Sequence, residues 1–141
     1  MKTVHVAAAI IEKDHQILIA KRLKGQHKDL WEFPGGKIEE NESSEQALIR
    51  EIKEELNADI SITSYLTTIN YTYPDFHLVM DVCLCSLAGE TMILHDHSQI
   101  KWIDPKTQNI DWVPADILVI NTYKNSLHHD RLFILIQFRS I

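Results

Sequence analysis

Cysteine is nearly absent from this 141-residue chain, which has only Cys83 and Cys85. They occupy alternate positions of a strand-like run, so their side chains point the same way and are poorly placed to bond each other. They read as reduced core residues, which excludes a disulfide scaffold. Basic charge is also scarce, with 14 Lys and Arg against 20 Asp and Glu, a net charge of −6. A surface for nucleic acid polymers needs a basic stripe, so no such partner is expected, although a few local cations suffice for a small anion. No apolar run approaches the length that spans a bilayer. The start, Met1 to His5, lacks the basic and then continuously apolar layout of a secretory signal. These absences predict a cytoplasmic protein with no membrane partner.

Hydrophobic residues make up 45% of the chain and charged ones 24%, enough for one core in one soluble domain. We read a single domain over 1–127 and an apolar tail over 128–141 to which no role is assigned. Val4 to Ile11 and Ile17 to Ala20 flank the polar turn Lys13-Asp14-His15-Gln16, the pattern of a β-hairpin. A basic loop follows from Lys21 to Trp31. Pro34-Gly35-Gly36 then punctuates the chain, with glycines that permit backbone geometries closed to other residues. Ser43 and Gln46 stand in capping-box register for a helix that Asn57 stops. Strand-like runs follow at Ile60 to Ile69, Phe76 to Leu87 and Ile100 to Ile103. Pro114 starts a closing helix through Leu127, and Leu132 to Phe138 is apolar and β-prone, suiting an extra strand, a subunit contact or a poorly ordered end.

The helix after Ser43 sets Glu51, Glu54 and Glu55 close together. At about 100° per residue from Arg50, they fall near 100°, 40° and 140°, apart from the apolar arc of Leu48, Ile52, Leu56 and Ile49. Lys53 lies on the far side, so no lysine of the helix offsets their repulsion. A solvated acidic face is one reading. The other is a divalent cation: Mg²⁺ takes one or two carboxylates, waters and substrate phosphates, and lowers the pKa of a bound water so that it attacks phosphorus near neutral pH.

The spacing decides between them. Gly36, five residues, Glu42, seven residues and then Arg50-Glu51-Ile52-Lys53-Glu54-Glu55 resembles the signature of the Nudix hydrolase superfamily. "LWEFPGGKIE", "YTYPDFH" and "WVPADI" extend the resemblance toward the MutT-like branch, over about Thr3 to Lys124. At the end of the box, Asn57 replaces the common glycine and Ala58 a larger aliphatic residue, which removes no ligand.

The resemblance implies an α/β fold, the Nudix α/β/α sandwich, with a mixed β-sheet and a loop–helix–loop catalytic box. It implies an enzyme that cleaves phosphoric anhydride bonds of nucleoside triphosphates to the monophosphate and pyrophosphate and so cleanses the nucleotide pool. Mg²⁺ is the implied cofactor, with Mn²⁺ as a substitute. Glu54 and Glu55 are implied metal ligands with the Gly35 carbonyl, and Glu51 is a metal-shell residue or the general base. Glu42 and Arg50 are implied as an ion pair fixing loop against helix. Asp96, in "HDHSQIKW", stands where relatives place a glutamate on a mobile loop that can join the metal. A monomer or homodimer suits the domain equally.

For the substrate, Arg22 matches an arginine that holds phosphate, and Lys21, Lys24, Lys28 and Lys37 are further phosphate neighbours. Asp116 matches the base-reading position. An ionised Asp only accepts, which favours the amino group of cytosine and hence (d)CTP or a modified cytosine nucleotide. Phe76 and Tyr73 are placed to stack on a ring, and Phe76 replaces a base-contacting arginine of the guanine-sanitising enzymes. A protonated Asp116 reads oxidised guanine, so 8-oxo-dGTP is the alternative, and a nucleotide sensor without turnover is the other-class reading. His95 and His97, like His128 and His129, lack a third spaced ligand and read as solvated.

Overall fold

Val4 to Ile11 is apolar at nearly every position because it runs through the middle of a sheet covered on both faces. The computed structural model describes residues 1–89 and 92–139, with main chain only for 128–139. Its elements are β1 (Lys2–Lys13), β2 (Gln16–Arg22), β3 (Trp31–Glu32), β4 (Gly35–Lys37), α1 (Ser44–Leu56), β5 (Asp59–Thr72), β6 (Phe76–Ala88), β7 (His97–Ile103) and α2 (Pro114–Arg139). A seven-stranded sheet runs in the order β3-β2-β1-β6-β5, with β4 on β1 and β7 on β2. The sheet is mixed, since β1 and β6 are parallel and the other pairs antiparallel.

Alternation along β1 sends Ala7, Ala9 and Ile11 into one layer with Leu48, Ile52 and Leu56 of α1. Ala8 and Ile10 enter the other, with Val119, Ile120 and Tyr123 of α2. The result is the expected α/β/α sandwich. Cys83 and Cys85 are buried free thiols, both in the α1 layer. Burial of Leu48, Ile52 and Leu56, each contributing about 1.5–3 kcal/mol, is what fixes α1 to the sheet.

The ends of α1 follow the sequence. Ser43 Oγ accepts the Gln46 N–H while the Gln46 side chain accepts the Ser43 N–H, and Asn57 closes the helix in the left-handed region at φ 50°. The hairpin turn has positive φ at Asp14 and His15, which matches the twist of β1 and β2. The main chain of Leu132 to Phe138 continues α2, so the strand reading of this run is corrected, and the tail's side chains, with those of His128 and His129, lie outside the described residues.

A second correction concerns Gly35 and Gly36. Neither has positive φ, and both lie in β4. Glycine is needed there for close approach: a Cβ on Gly35 would lie 2.0 Å from the Ala7 carbonyl oxygen, and one on Gly36 2.3 Å from Glu51 Cδ. One edge of β1 is shared by β4, at Val6–Ala8, and β2, at Glu12 and Lys13, and a cleft opens where these two strands part.

Candidate active site

The cleft, about 470 Å³ in volume, is bordered by Gly35 and Gly36, Arg22, Glu32, Glu55, Asp96 and His97 toward one end and by Phe33, Tyr73, Phe76 and Asp116 toward the other. Glu51, Glu54 and Lys37 do not border it. Lys37 is exposed, and the group it contributes is its carbonyl, which accepts from Arg50 Nη2 at 3.0 Å. Lys24 borders the cleft, while Lys21 and Lys101 lie over the Trp31 ring.

Arg50 organises the acidic face. It donates to both oxygens of Glu42, from Nε at 2.7 Å and Nη2 at 2.9 Å, and from Nη1 to Glu51 at 2.9 Å and Glu54 at 3.3 Å. The repulsion expected along α1 is therefore partly offset within the helix, by Arg50 and not by a lysine. Lys53 turns away to Asp59 at 3.3 Å. The guanidinium beside Glu42 lowers that carboxyl to about 2. Burial raises the Glu51 pKa against the opposing pull of Arg50.

Glu55 has no such cation. Its Oε2 is buried without a protein partner. Burial first, and then the charges of Glu51, Glu32 and Asp96, push its pKa up to about 8, opposed by the Gly35 N–H. A carboxylate oxygen without a partner among further carboxylates is a site that fits a hard divalent cation. Among the described residues, however, no three acidic, histidine or cysteine side chains converge closely enough to hold one, so Gly35, Glu51, Glu54, Glu55 and Asp96 do not form a closed cage. Arg50 holds Glu51 and Glu54, and the Glu54 side chain is 60% exposed.

Two residues not read as site members lie between these groups. Glu32 accepts from Arg22 Nη1 at 3.0 Å and from His97 Nε2 at 2.8 Å. His97 is buried, which corrects its reading as a solvated loop residue. Only the resemblance of "LWEFPGGKIE" pointed to Glu32, and a lone histidine beside Asp96 carried no spacing signal.

At the other end, Asp116 lies buried in the first turn of α2 and its Oδ1 accepts the Phe33 N–H at 2.9 Å. Burial and the Glu32 charge push its pKa well up, against the Phe33 N–H and Arg22. Phe33 stacks on Trp112 with centroids 5.2 Å apart. Tyr73 is held by its hydroxyl, which accepts the Ala115 N–H at 3.1 Å, and Phe76 stacks on its ring at 5.0 Å.

A short strand bearing Gly35 and Gly36, an arginine-clamped acidic helix and a cleft leading to a buried carboxyl occur together in a chain whose residues 1–131 match the NUDIX domain. The chain belongs to the Nudix family. It is a Nudix hydrolase, and it is 33% identical over 137 residues to the CTP pyrophosphohydrolase of Escherichia coli, spanning 87% of this chain and 93% of that one. It is 42% identical over 85 residues to the 8-oxo-dGTP diphosphatase of Proteus vulgaris, spanning 59% and 76%. The solution structure of the E. coli ORF135 protein superposes with a TM-score of 0.79 at 33% identity, covering 89% of this chain and 91% of that one. Among the described residues no helix is long and apolar enough to cross a membrane.

Proposed function

We propose that this Nudix hydrolase is a divalent-metal-dependent pyrophosphohydrolase that converts nucleoside triphosphates to the monophosphate and pyrophosphate, clearing unwanted nucleotides, with (d)CTP or a modified cytosine nucleotide preferred. The observation that carries the reading is Glu55, a buried carboxylate with an unpartnered oxygen in the same cleft as the buried Asp116. The similarity to the CTP pyrophosphohydrolase over nearly its whole length supports the cytosine preference.

Glu55 and Asp96 would hold Mg²⁺ or Mn²⁺, joined by the Gly35 carbonyl and Glu54. A bound divalent ion there supplies charge neutralisation and a more acidic water. Arg22 and Lys24 border the cleft as cations for the phosphates. Glu51, with its pKa raised by burial, takes the proton of the attacking water while the bond from phosphorus to the leaving group breaks. The Phe33 N–H fixes Asp116 Oδ1, which leaves Oδ2 for the base. An ionised Oδ2 accepts the cytosine amino group.

A second reading has its own observation. The environment of Asp116 favours its protonated form, and a protonated Oδ2 donates to a base carbonyl or ring nitrogen, as recognition of 8-oxo-dGTP would require. A sensor without turnover fits poorly with an unbroken set of Glu42, Arg50, Glu51, Glu54 and Glu55. The test is kcat/KM with Mg²⁺ for dCTP, 5-methyl-dCTP, CTP, 8-oxo-dGTP, dGTP and dATP. A preference for cytosine nucleotides with pyrophosphate released supports the first reading, a preference for 8-oxo-dGTP replaces it with the second, and no turnover overturns both.

A further inference from the structure

The segment leading to Asp96 is fixed at two places. On one side, the Ile93 and His95 N–H groups donate to the Leu56 and Glu55 carbonyls at 2.9 and 3.1 Å, using carbonyls that the end of α1 leaves unpaired. On the other, the β2–β7 ladder slips between Lys21 and Arg22: Gln99 faces Lys21, but His97 instead of Ser98 faces Arg22. A bulge of this kind redirects a side chain. Here the redirected residue is His97, whose Nε2 donates to Glu32 Oε2 at 2.8 Å while Glu32 Oε1 takes Arg22 Nη1 at 3.0 Å. Arg22 Nε and His97 Nδ1, on either side of Glu32, are buried without protein partners in the same cleft.

We propose that Glu32 and His97 form a part-buried clasp that positions Asp96 toward Glu55 at the metal end of the cleft and Arg22 toward the phosphates, so that both are positioning residues of the reaction. The proposal rests on the metal-dependent reading above. Asp96 is the next residue before His97, so release of the ring frees the side-chain tether beside it, whereas the main-chain bonds of Ile93 and His95 remain. Glu32 answers to both ends: its two oxygens face one residue each, and loss of either bond lets the carboxylate turn. The ring is placed for hydrogen bonding because Glu32 as a carboxylate only accepts, which assigns the proton to Nε2.

The test is Mn²⁺ binding by calorimetry and by the electron paramagnetic resonance of free Mn²⁺, with KM and kcat measured beside it, in the full chain carrying His97→Ala, His97→Gln and, as a control, His95→Ala. His97→Ala is expected to weaken Mn²⁺ binding about 10–100-fold, the usual scale for groups that support metal ligands, and to raise KM. His97→Gln places an amide N–H near the position of Nε2 and restores binding, and His95→Ala leaves it unchanged. If alanine unfolds the chain, His97→Asn, too short to reach Glu32, gives the same reading. Unchanged Mn²⁺ affinity in a folded His97→Ala or His97→Asn protein overturns the clasp and leaves the metal reading standing. A wild-type protein that binds no Mn²⁺ overturns both.

Discussion

Asp116 Oδ1 accepts the Phe33 N–H at 2.9 Å, joining the first turn of α2 to the segment before Gly35 across 83 positions of sequence. The bond makes Asp116 part of the fold as well as the group proposed to face the base. Asp116→Ala leaves the buried N–H without a partner and should lower stability by about 1–3 kcal/mol, measured by denaturant unfolding. Asp116→Asn retains an acceptor for Phe33 but turns an amide donor to the base. It should stay folded and move the kcat/KM ratio of dCTP to 8-oxo-dGTP at least about 10-fold toward 8-oxo-dGTP, the size of one buried hydrogen bond.

Gly35 and Gly36 should fail in different ways. A Cβ on Gly35 meets main chain at Ala7, which cannot yield cheaply, so Gly35→Ala should reduce stability by about 1–3 kcal/mol or more. A Cβ on Gly36 meets the Glu51 side chain, which can swing aside. Gly36→Ala should keep most of its melting temperature and lose turnover about 100-fold, the scale of a displaced proton-transfer group.

Glu55 sets a pH dependence. Its folded pKa, about 8, lies above the ordinary value of 4.5, so between these pH values the folded metal-free protein holds a proton that the unfolded chain has released. Stability of the metal-free protein should therefore fall as pH rises through that window. In Glu55→Gln this component of the slope should vanish, which thermal unfolding across pH 5 to 8.5 will read.

Arg50→Lys tests the clamp. Lysine cannot donate in parallel to both Glu42 oxygens while also reaching Glu51 and Glu54. The variant should melt lower than wild type and lose kcat. Glu42, held near 2 by the guanidinium, contributes stability above its ordinary pKa that disappears as pH falls toward 2, and Arg50→Lys should flatten that acid limb.

The parts of the fold written in local chemistry were readable. Ser43, Gln46 and Asn57 mark the ends of α1 through their own side chains, and Val4 to Ile11 marks a hairpin strand through its nearly unbroken apolarity. The box carboxylates were visible through their fixed spacing. What escaped depended on distant contacts. His97 and Glu32 are 65 positions apart and meet only because a bulge shifts β7 by one residue. That glycine is needed at 35 and 36 for close approach, and not for positive φ, was hidden because contact with Ala7 and Glu51 leaves no mark in the glycines themselves. The protonation state of Asp116, which separates the cytosine reading from the 8-oxo-dGTP one, is not written in its sequence neighbours, because the burial that favours its neutral form comes from the whole cleft.

In the proposed function a nucleoside triphosphate is hydrolysed to monophosphate and pyrophosphate in a cleft where Glu55 would hold the metal. The most direct test follows dCTP, and 8-oxo-dGTP in parallel, by ³¹P NMR with Mg²⁺ for the wild type and for folded Glu55→Gln. The wild type should release monophosphate and pyrophosphate, and the variant should do so at a rate at least about 100-fold lower, since loss even of groups behind a metal ligand costs about 10–100-fold. Orthophosphate and a nucleoside diphosphate as products, or full activity in Glu55→Gln, would contradict that function.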